Sequence, residues 1–268
     1  MESIVHQTHH WIGIGEHRTL DMHLLCEEPL SIRIQGKPYI VVMRTPGDEI
    51  AHAAGLCLTE GFVDTPEEFA TLAVCEEDSA QVVTVTLNPP RDAMAASLMH
   101  RRAYVSQTSC GICGKEIISD LIQSIPPLQD DVIVDISKAM AQLNSLSKLQ
   151  PIRQATMAAH AAALFDSDFK LLSLAEDVGR HNALDKAIGK LFLKGSLSQA
   201  HIIILSSRAS YELIQKAGRA KIPVILSKSR PTSLAVSLAS ELNMTLACAS
   251  KEAGILVFCG KHRLKGWS

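Results

Sequence analysis

Aromatic side chains are scarce in this chain: they make up 4% of its residues. Any core must therefore be aliphatic and alanine-rich, which a hydrophobic content of 47% allows. An excess of one charge is missing too. The net charge of −2 offers no basic bulk for a phosphate backbone, so no nucleic-acid partner is expected. No apolar run is long enough to span a bilayer, so no membrane partner is expected either. Met1 to Gly15 lacks the basic region, apolar core and cleavage site of a signal peptide, and the expected location is cytoplasmic. The cysteines number seven, and Cys26, Cys57, Cys75, Cys248 and Cys259 stand singly. An odd, scattered set suits reduced thiols that act mostly as small buried apolar residues.

What stands out against this background is Ser106-Gln107-Thr108-Ser109-Cys110-Gly111-Ile112-Cys113-Gly114-Lys115. A glycine follows each cysteine of the pair, and few apolar side chains intervene, so the stretch reads as an accessible loop. Such a thiol pair can bind a metal, cycle through a disulfide, or carry sulfur as a persulfide. Zinc would need partners, and Cys259-Gly260-Lys261-His262 is the one C-x-x-H available, far away in sequence. Thioredoxin-like redox chemistry would want the pair at a helix N-terminus near the first βαβ unit, whereas this loop precedes the α/β part.

Taken in order, residues 1–19 read as a weakly ordered lead-in. Leu30–Ile34 and Tyr39–Met43 read as a hairpin about Gln35-Gly36-Lys37-Pro38. Asp48 is a candidate N-cap for a helix carrying Ile50, Ala53, Ala54 and Cys57. A strand at Gln81–Leu87, a helix at Arg91–Met99 and an extended piece at Arg102–Val105 lead into the cysteine loop, with a short helix expected at Lys115–Ile122. Pro126-Pro127 suggests a boundary. Residues 1–125 would form a small α+β domain ending in the loop, and residues 126–268 a layered α/β domain. Helices are expected at Ile136–Leu149, Arg153–Leu164, Ala183–Phe192, Ser210–Ala220 and, after the turn Ser227–Ser233, through Leu242. Between them, strands at Phe169–Ala175, Ile202–Leu205, Val224–Leu226, Thr245–Ala249 and Ile255–Phe258 suggest a mainly parallel sheet.

Polar residues crowd the ends of these strands. Glu176-Asp177-Val178-Gly179-Arg180-His181-Asn182, with Asp185 and Lys186, follows one strand; Ser206-Ser207-Arg208 and Ser227-Lys228-Ser229-Arg230 follow two others. In open α/β sheets this edge collects ligands, and hydroxyls with cations suit phosphate oxygens. Helix capping explains the same residues without a ligand. A P-loop is excluded, because its glycines and Gly-Lys-Ser/Thr ending are absent. His160 within Ala158–Ala162 reads as a structural histidine on an alanine helix.

Ser109-Cys110-Gly111-Ile112-Cys113-Gly114-Lys115 and Glu176-Asp177-Val178-Gly179-Arg180-His181-Asn182-Ala183-Leu184-Asp185-Lys186 resemble the two signatures of the formate dehydrogenase accessory sulfurtransferases, the FdhD family. Arg44-Thr45-Pro46-Gly47-Asp48, Leu58-Thr59-Glu60-Gly61 and Pro231–Val236 resemble further family segments. The resemblance runs from about Glu28 to Leu264. It implies a cytidine-deaminase-like C-terminal domain and a sulfurtransferase with a cysteine persulfide intermediate. Sulfur would pass from a cysteine desulfurase to the molybdenum or tungsten of a bis-molybdopterin guanine dinucleotide cofactor used by a formate dehydrogenase. Cys110 would carry the persulfide and Cys113 would act as relay or resolving thiol. The cofactor would be held by Asp177, Gly179, Arg180, His181, Ser206, Ser207, Arg208, Ser227, Arg230 and the segment Ala249-Ser250-Lys251-Glu252-Ala253-Gly254. A homodimer is expected. The alternative is a cofactor-binding maturation chaperone without obligatory sulfur transfer. Deamination is not implied, since His160-Ala161-Ala162 lacks the glutamate of an H-x-E motif. The chain departs from the family pattern at Met157 and Ala158, and at Ser207, where glycines are usual. It departs also around Ala253-Gly254, where an arginine is common, and at Phe258, where a tyrosine is usual.

Overall fold

The computed structural model describes residues 1–77, 80–106, 125–250, 252 and 254–266. The chain is a mixed α/β protein, as expected. It opens with a two-stranded antiparallel hairpin, β1 (Ser3–Gly13) and β2 (Glu16–Leu25), where the composition suggested a weakly ordered lead-in. Both strands are largely solvent-exposed, so burial periodicity could not mark them.

A four-stranded sheet of order β4-β3-β6-β5 follows, built from β3 (Glu28–Ile34), β4 (Lys37–Arg44), β5 (Phe69–Glu77) and β6 (Ala80–Leu87). The hairpin expected about Gly36 is present, whereas β5 had no expectation. Helix α1 (Glu49–Thr59) follows β4. Asp48 occupies its N-cap position but makes no side-chain cap bond; its backbone is left-handed, with φ 60°, and its carboxylate pairs with Lys190 at 2.7 Å. Helix α2 (Arg91–Ser106) continues through the stretch expected to be extended, Arg102–Val105. Its apolar residues recur at no strict period of two, and the helix begun at Arg91 simply propagates. Cys110, Cys113 and the expected helix at Lys115–Ile122 lie outside the described residues.

The second half contributes β7 (Val134–Asp135), α3 (Ile136–Ser145), α4 (Pro151–Thr156), β8 (His160–Phe165), β9 (Leu171–Asp177), α5 (Arg180–Leu193), β10 (Ile202–Arg208), α6 (Tyr211–Arg219), β11 (Val224–Ser229), α7 (Ser233–Glu241), β12 (Thr245–Ala249), β13 (Ile255–Cys259) and β14 (Leu264–Lys265). Its main sheet has the order β13-β12-β11-β10-β8-β9. Only β10–β11 and β11–β12 are parallel; β12–β13, β10–β8 and β8–β9 are antiparallel. The expectation of a mainly parallel sheet is therefore corrected. Its cause is a second correction: the helix expected over Arg153–Leu164 stops at Thr156, and His160–Phe165 is a strand. Alanine richness suggested helix there, but strand β8 is buried along almost its whole length, where small side chains fit. Met157 closes α4 in a left-handed conformation, φ 58°, a geometry that glycine adopts more cheaply.

Both faces of this sheet are covered. Ile203, Leu205, Ile225 and Leu246 join one core, which runs through α5, α6 and α7 to α1 and the four-stranded sheet. Ile202, Ile204, Val224 and Leu226 join a second core beneath α3. Two-sided burial explains the unbroken apolar run Ile202–Leu205. Helix α1 packs directly on α5, so the N-terminal half is joined to the main sheet through helices.

Candidate functional site

Strand direction decides where the polar clusters meet. Strands β9, β10, β11 and β12 run the same way, while β8 and β13 run opposite. The C-terminal ends at Asp177, Arg208, Ser229 and Ala249 therefore share one sheet edge with the starts of β8 at His160 and β13 at Ile255. The register confirms the alignment: His160 is opposite Asp177, Arg208 opposite Ser229, and Ala249 opposite Ile255.

At one end of this edge lies the Asp177–Lys186 segment. Asp177 is fully buried. Its Oδ1 accepts from the Gly179 N–H at 2.8 Å and Asn182 Nδ2 at 2.9 Å; its Oδ2 accepts from the Thr45 N–H at 3.1 Å and pairs with Lys186 Nζ at 2.7 Å. Lys186 also donates to the Thr45 carbonyl at 2.7 Å, and Asn182 to the Met43 carbonyl at 2.9 Å. Glu176 accepts from the backbone N–H groups of Ile152 and Arg153, holding the start of α4. Asp177 and Gly179 thus serve first as a clasp between the two halves. Arg180 and His181, at the head of α5, are turned to other work. Arg180 Nε is buried with no hydrogen-bond partner among the described residues. His181 Nε2 lies 2.7 Å from Glu212 and 3.4 Å from Ser210 Oγ.

The serine clusters are strand, not turn. Ser206, Ser207 and Arg208 end β10, beside an irregularity in its pairing with β11 between Leu205 and Arg208. Ser206 Oγ accepts from the Ala161 N–H at 2.8 Å, and buried Ser207 donates to the Arg208 carbonyl at 3.2 Å. Ser227 is fully buried in β11 and donates to the Ser229 carbonyl at 2.8 Å. These hydroxyls mend strand ends, so the groups the two clusters leave to solvent include the exposed Arg208 and Arg230, with half-buried Lys228 between them. Burial pulls the Lys228 ammonium below its ordinary pKa. Beyond β12, the Ser250 N–H donates to the Gly254 carbonyl at 3.0 Å and the Glu252 N–H to Ser250 Oγ at 3.3 Å, a tight turn with Gly254 at φ 88°. Lys251 and Ala253 lie outside the described residues.

His160, read from the sequence as a structural histidine on a helix, is placed by strand β8 opposite Asp177. Burial, then Arg180 and Arg153, pull its pKa down, while Asp177 opposes them. Its signal was its position just ahead of a short apolar run. A polyanion fits this edge: Arg180 has a buried, unpartnered donor among the described residues, Arg208 and Arg230 are exposed, and a Cβ at Gly254 would meet open space.

Next to the clasp lies a cavity of about 250 Å³ between α1, α5 and α6, lined among others by His52, Thr59, His181, Asp185 and Lys216. Lys216 Nζ donates to both Asp185 oxygens, at 3.0 and 2.9 Å, and to Thr59 Oγ1 at 2.9 Å. Burial pushes the Asp185 carboxyl up against the pull of Lys216 and Thr59. His52 was overlooked because it interrupts an otherwise apolar helix; a helix apolar on all sides is covered on all sides. It is fully buried, and its pKa is lowered to about 3 by burial, then by Lys186, Lys216 and Arg44, with the Asn182 amide opposing. Above pH 6.5 His52 is neutral whether folded or not. Below it the unfolded chain binds a proton that the folded chain refuses, so stability falls with pH down to about 3. At 1.36 kcal/mol per pH unit the loss is on the order of 4 kcal/mol by the bottom of that window. Urea midpoints measured from pH 7 to 4 should therefore drop less steeply for His52→Leu than for the natural chain. Equal slopes would remove this role.

The comparisons with known proteins agree with one another. The FdhD/NarQ family profile matches residues 25–265. A sulfur carrier protein FdhD of Streptomyces avermitilis is 37% identical over 257 residues, covering 90% of this chain and 88% of that protein. One from Xanthomonas campestris pv. campestris is 34% identical over 250 residues, covering 93% and 88%. Among solved structures, a candidate formate dehydrogenase accessory protein from Desulfotalea psychrophila superposes with a TM-score of 0.77 at 23% identity, over 99% of this chain and 100% of that one. With a profile match along nearly its whole length and relatives above one-third identity, the chain belongs to the FdhD/NarQ family.

Proposed function

We propose that this protein is a sulfur carrier acting in the cytoplasm, with Cys110 as the sulfur-bearing residue. The observation that carries this reading is its similarity, over 90% of the chain, to a protein named as a sulfur carrier. The Cys110 thiolate attacks the sulfane sulfur of a cysteine desulfurase persulfide. A new S–S bond forms on Cys110 as the desulfurase thiolate leaves. Cys113 relays the sulfur or resolves the persulfide. The acceptor is the molybdenum or tungsten of a bis-molybdopterin guanine dinucleotide cofactor, destined for a formate dehydrogenase.

The described edge supports such an acceptor. Two pyrophosphates call for several cations along one edge, and Arg208, Lys228 and Arg230 lie at the ends of the adjacent strands β10 and β11, with Arg180 at the head of α5, beyond the end of β9 on the same sheet edge. Asp177 and Gly179 contribute by fixing the backbone that presents Arg180 and His181. His160, held mostly neutral by burial and its arginine neighbours, can accept or donate one hydrogen bond without adding charge.

The test is maturation of an active formate dehydrogenase in cells that lack the natural chain. Cys110→Ala should abolish it, lowering activity by about 100-fold or more, the scale on which loss of a nucleophile acts. Maturation retained by both Cys110→Ala and Cys113→Ala would instead favour the cofactor-holding chaperone.

A further inference from the structure

The cavity between α1, α5 and α6 shares only His181 with the cationic edge. At about 250 Å³ it is small against the roughly 300–1,000 Å³ of sites that take whole drug-sized ligands. Ile40, Val42 and Leu56 give it apolar walls, and Glu60, Glu212 and Gln215 add polar groups. Lys216 is matched by Asp185 at 2.9 Å, and the nearby Lys186 and Arg44 are matched by Asp177 at 2.7 Å and Glu49 at 3.1 Å. Glu60 and Glu212 therefore leave the cavity acidic. His52 forms its fully buried side, and neither ring nitrogen completes a hydrogen bond among the described residues, the pull of the Asn182 amide notwithstanding. A buried imidazole left so is costly unless a guest donates to it.

The cavity borders a sheet edge. Strand β4 pairs with β3 on one side and with no strand on the other among the described residues. Ile40 and Val42 turn to the cavity; Val41 and Met43 turn to the opposite face, where they are 64% and 49% exposed. An uncovered apolar edge is a template for an added strand. A strand laid along β4 presents alternate side chains to the same two faces. On the cavity side one long cationic side chain fits, its stem against Ile40, Val42 and Leu56 and its head among the acidic groups. Arginine suits better than lysine, because the five N–H groups of its planar fork can serve the carboxylates and the His52 lone pair together. On the other face the residues beside that arginine meet Val41 and Met43, which calls for apolar side chains.

We propose that β4 and this cavity receive an extended segment of another protein, in which one arginine enters the cavity and the residues on either side of it are apolar. The added strand supplies main-chain hydrogen bonds, and the buried arginine supplies the selection. The proposal stands on β4 and the cavity alone and is independent of the sulfur chemistry.

The probe is a blocked pentapeptide, Ser-Val-Arg-Val-Ser, titrated into the full chain by calorimetry, with hydrogen exchange to locate it. It should bind saturably and protect the outward amides of Lys37–Arg44. Replacing its arginine by citrulline keeps the shape and removes the charge. That change should weaken binding by at least about 10-fold, the scale of charge-assisted hydrogen bonds. Gln215→Lys, which sets a second cation in the cavity, should do the same with an unchanged circular dichroism spectrum. Absence of binding up to millimolar peptide overturns the proposal, as does equal affinity for the citrulline peptide or in Gln215→Lys. Protection that falls on another segment overturns it too. So does a β4 edge already protected in the peptide-free chain and opened on dilution, which would assign it to a second copy instead.

Discussion

Gly189→Ala is expected to destabilise the protein by more than about 4 kcal/mol, or to prevent folding. In an ordinary helix the same change stabilises by up to about 1 kcal/mol, so the expected sign is reversed. The reason is the crossing of α1 and α5. A Cβ at Gly189 would lie 1.8 Å from the Ala51 carbonyl oxygen, and one at Gly55 1.9 Å from the Asp185 carbonyl oxygen. Both obstacles are backbone, so no rotamer change relieves them. Alanines 51, 53, 54, 183 and 187, all buried, let the helices approach this closely. Because α1 belongs to the N-terminal half and α5 carries Arg180 and His181, separating the helices would also move the edge that carries those two residues. Urea unfolding of Gly189→Ala and Gly55→Ala measures the effect; a midpoint equal to that of the natural chain in either variant would refute the crossing.

Asp177→Ala should cost about 3–5 kcal/mol, because it strands the buried Lys186 ammonium without its counter-charge. It also unpairs the N–H groups of Gly179 and Thr45 and the Asn182 amide. Asp177→Asn keeps part of the hydrogen bonding and should fall between. The informative variant is Asp177→Ala/Lys186→Met, which removes both charges. It should be more stable than Asp177→Ala alone, a coupling read by a double-mutant cycle. A double variant as unstable as the sum of the singles would show that the pair does not act as a unit.

The two predictions also show what was legible beforehand. The Glu176–Lys186 segment announced itself by crowded polar types, and four strand ends were read well enough to put Arg208 and Arg230 on one edge. Its division of labour was not legible. Asp177, Asn182 and Lys186 turn inward to Thr45 and Met43, more than a hundred residues away in sequence, and no local pattern encodes such a contact. Ser206 and Ser227 were read as phosphate ligands because serine suits both roles; only the positions of Ala161 and Ser229 decide that their hydroxyls serve the strands. His160 was misplaced on a helix because alanine favours helices in isolation, while burial between β9 and β10 favours a strand. His52 and the Gly55–Gly189 crossing were invisible for the same reason as the Thr45 contacts: each depends on α1 meeting α5.

Everything described positions a cationic edge and locks the two halves around it. The central claim concerns the thiol pair that precedes the main sheet in sequence, and it can be tested without a client enzyme. The purified chain is incubated with a cysteine desulfurase and free cysteine, then weighed intact and mapped by peptide. Sulfur carriage on Cys110 predicts a gain of one sulfur atom, removable by a thiol reductant, mapped to Cys110 and absent from Cys110→Ala. A natural chain that gains no sulfur, or a Cys110→Ala variant that gains as much, would contradict it.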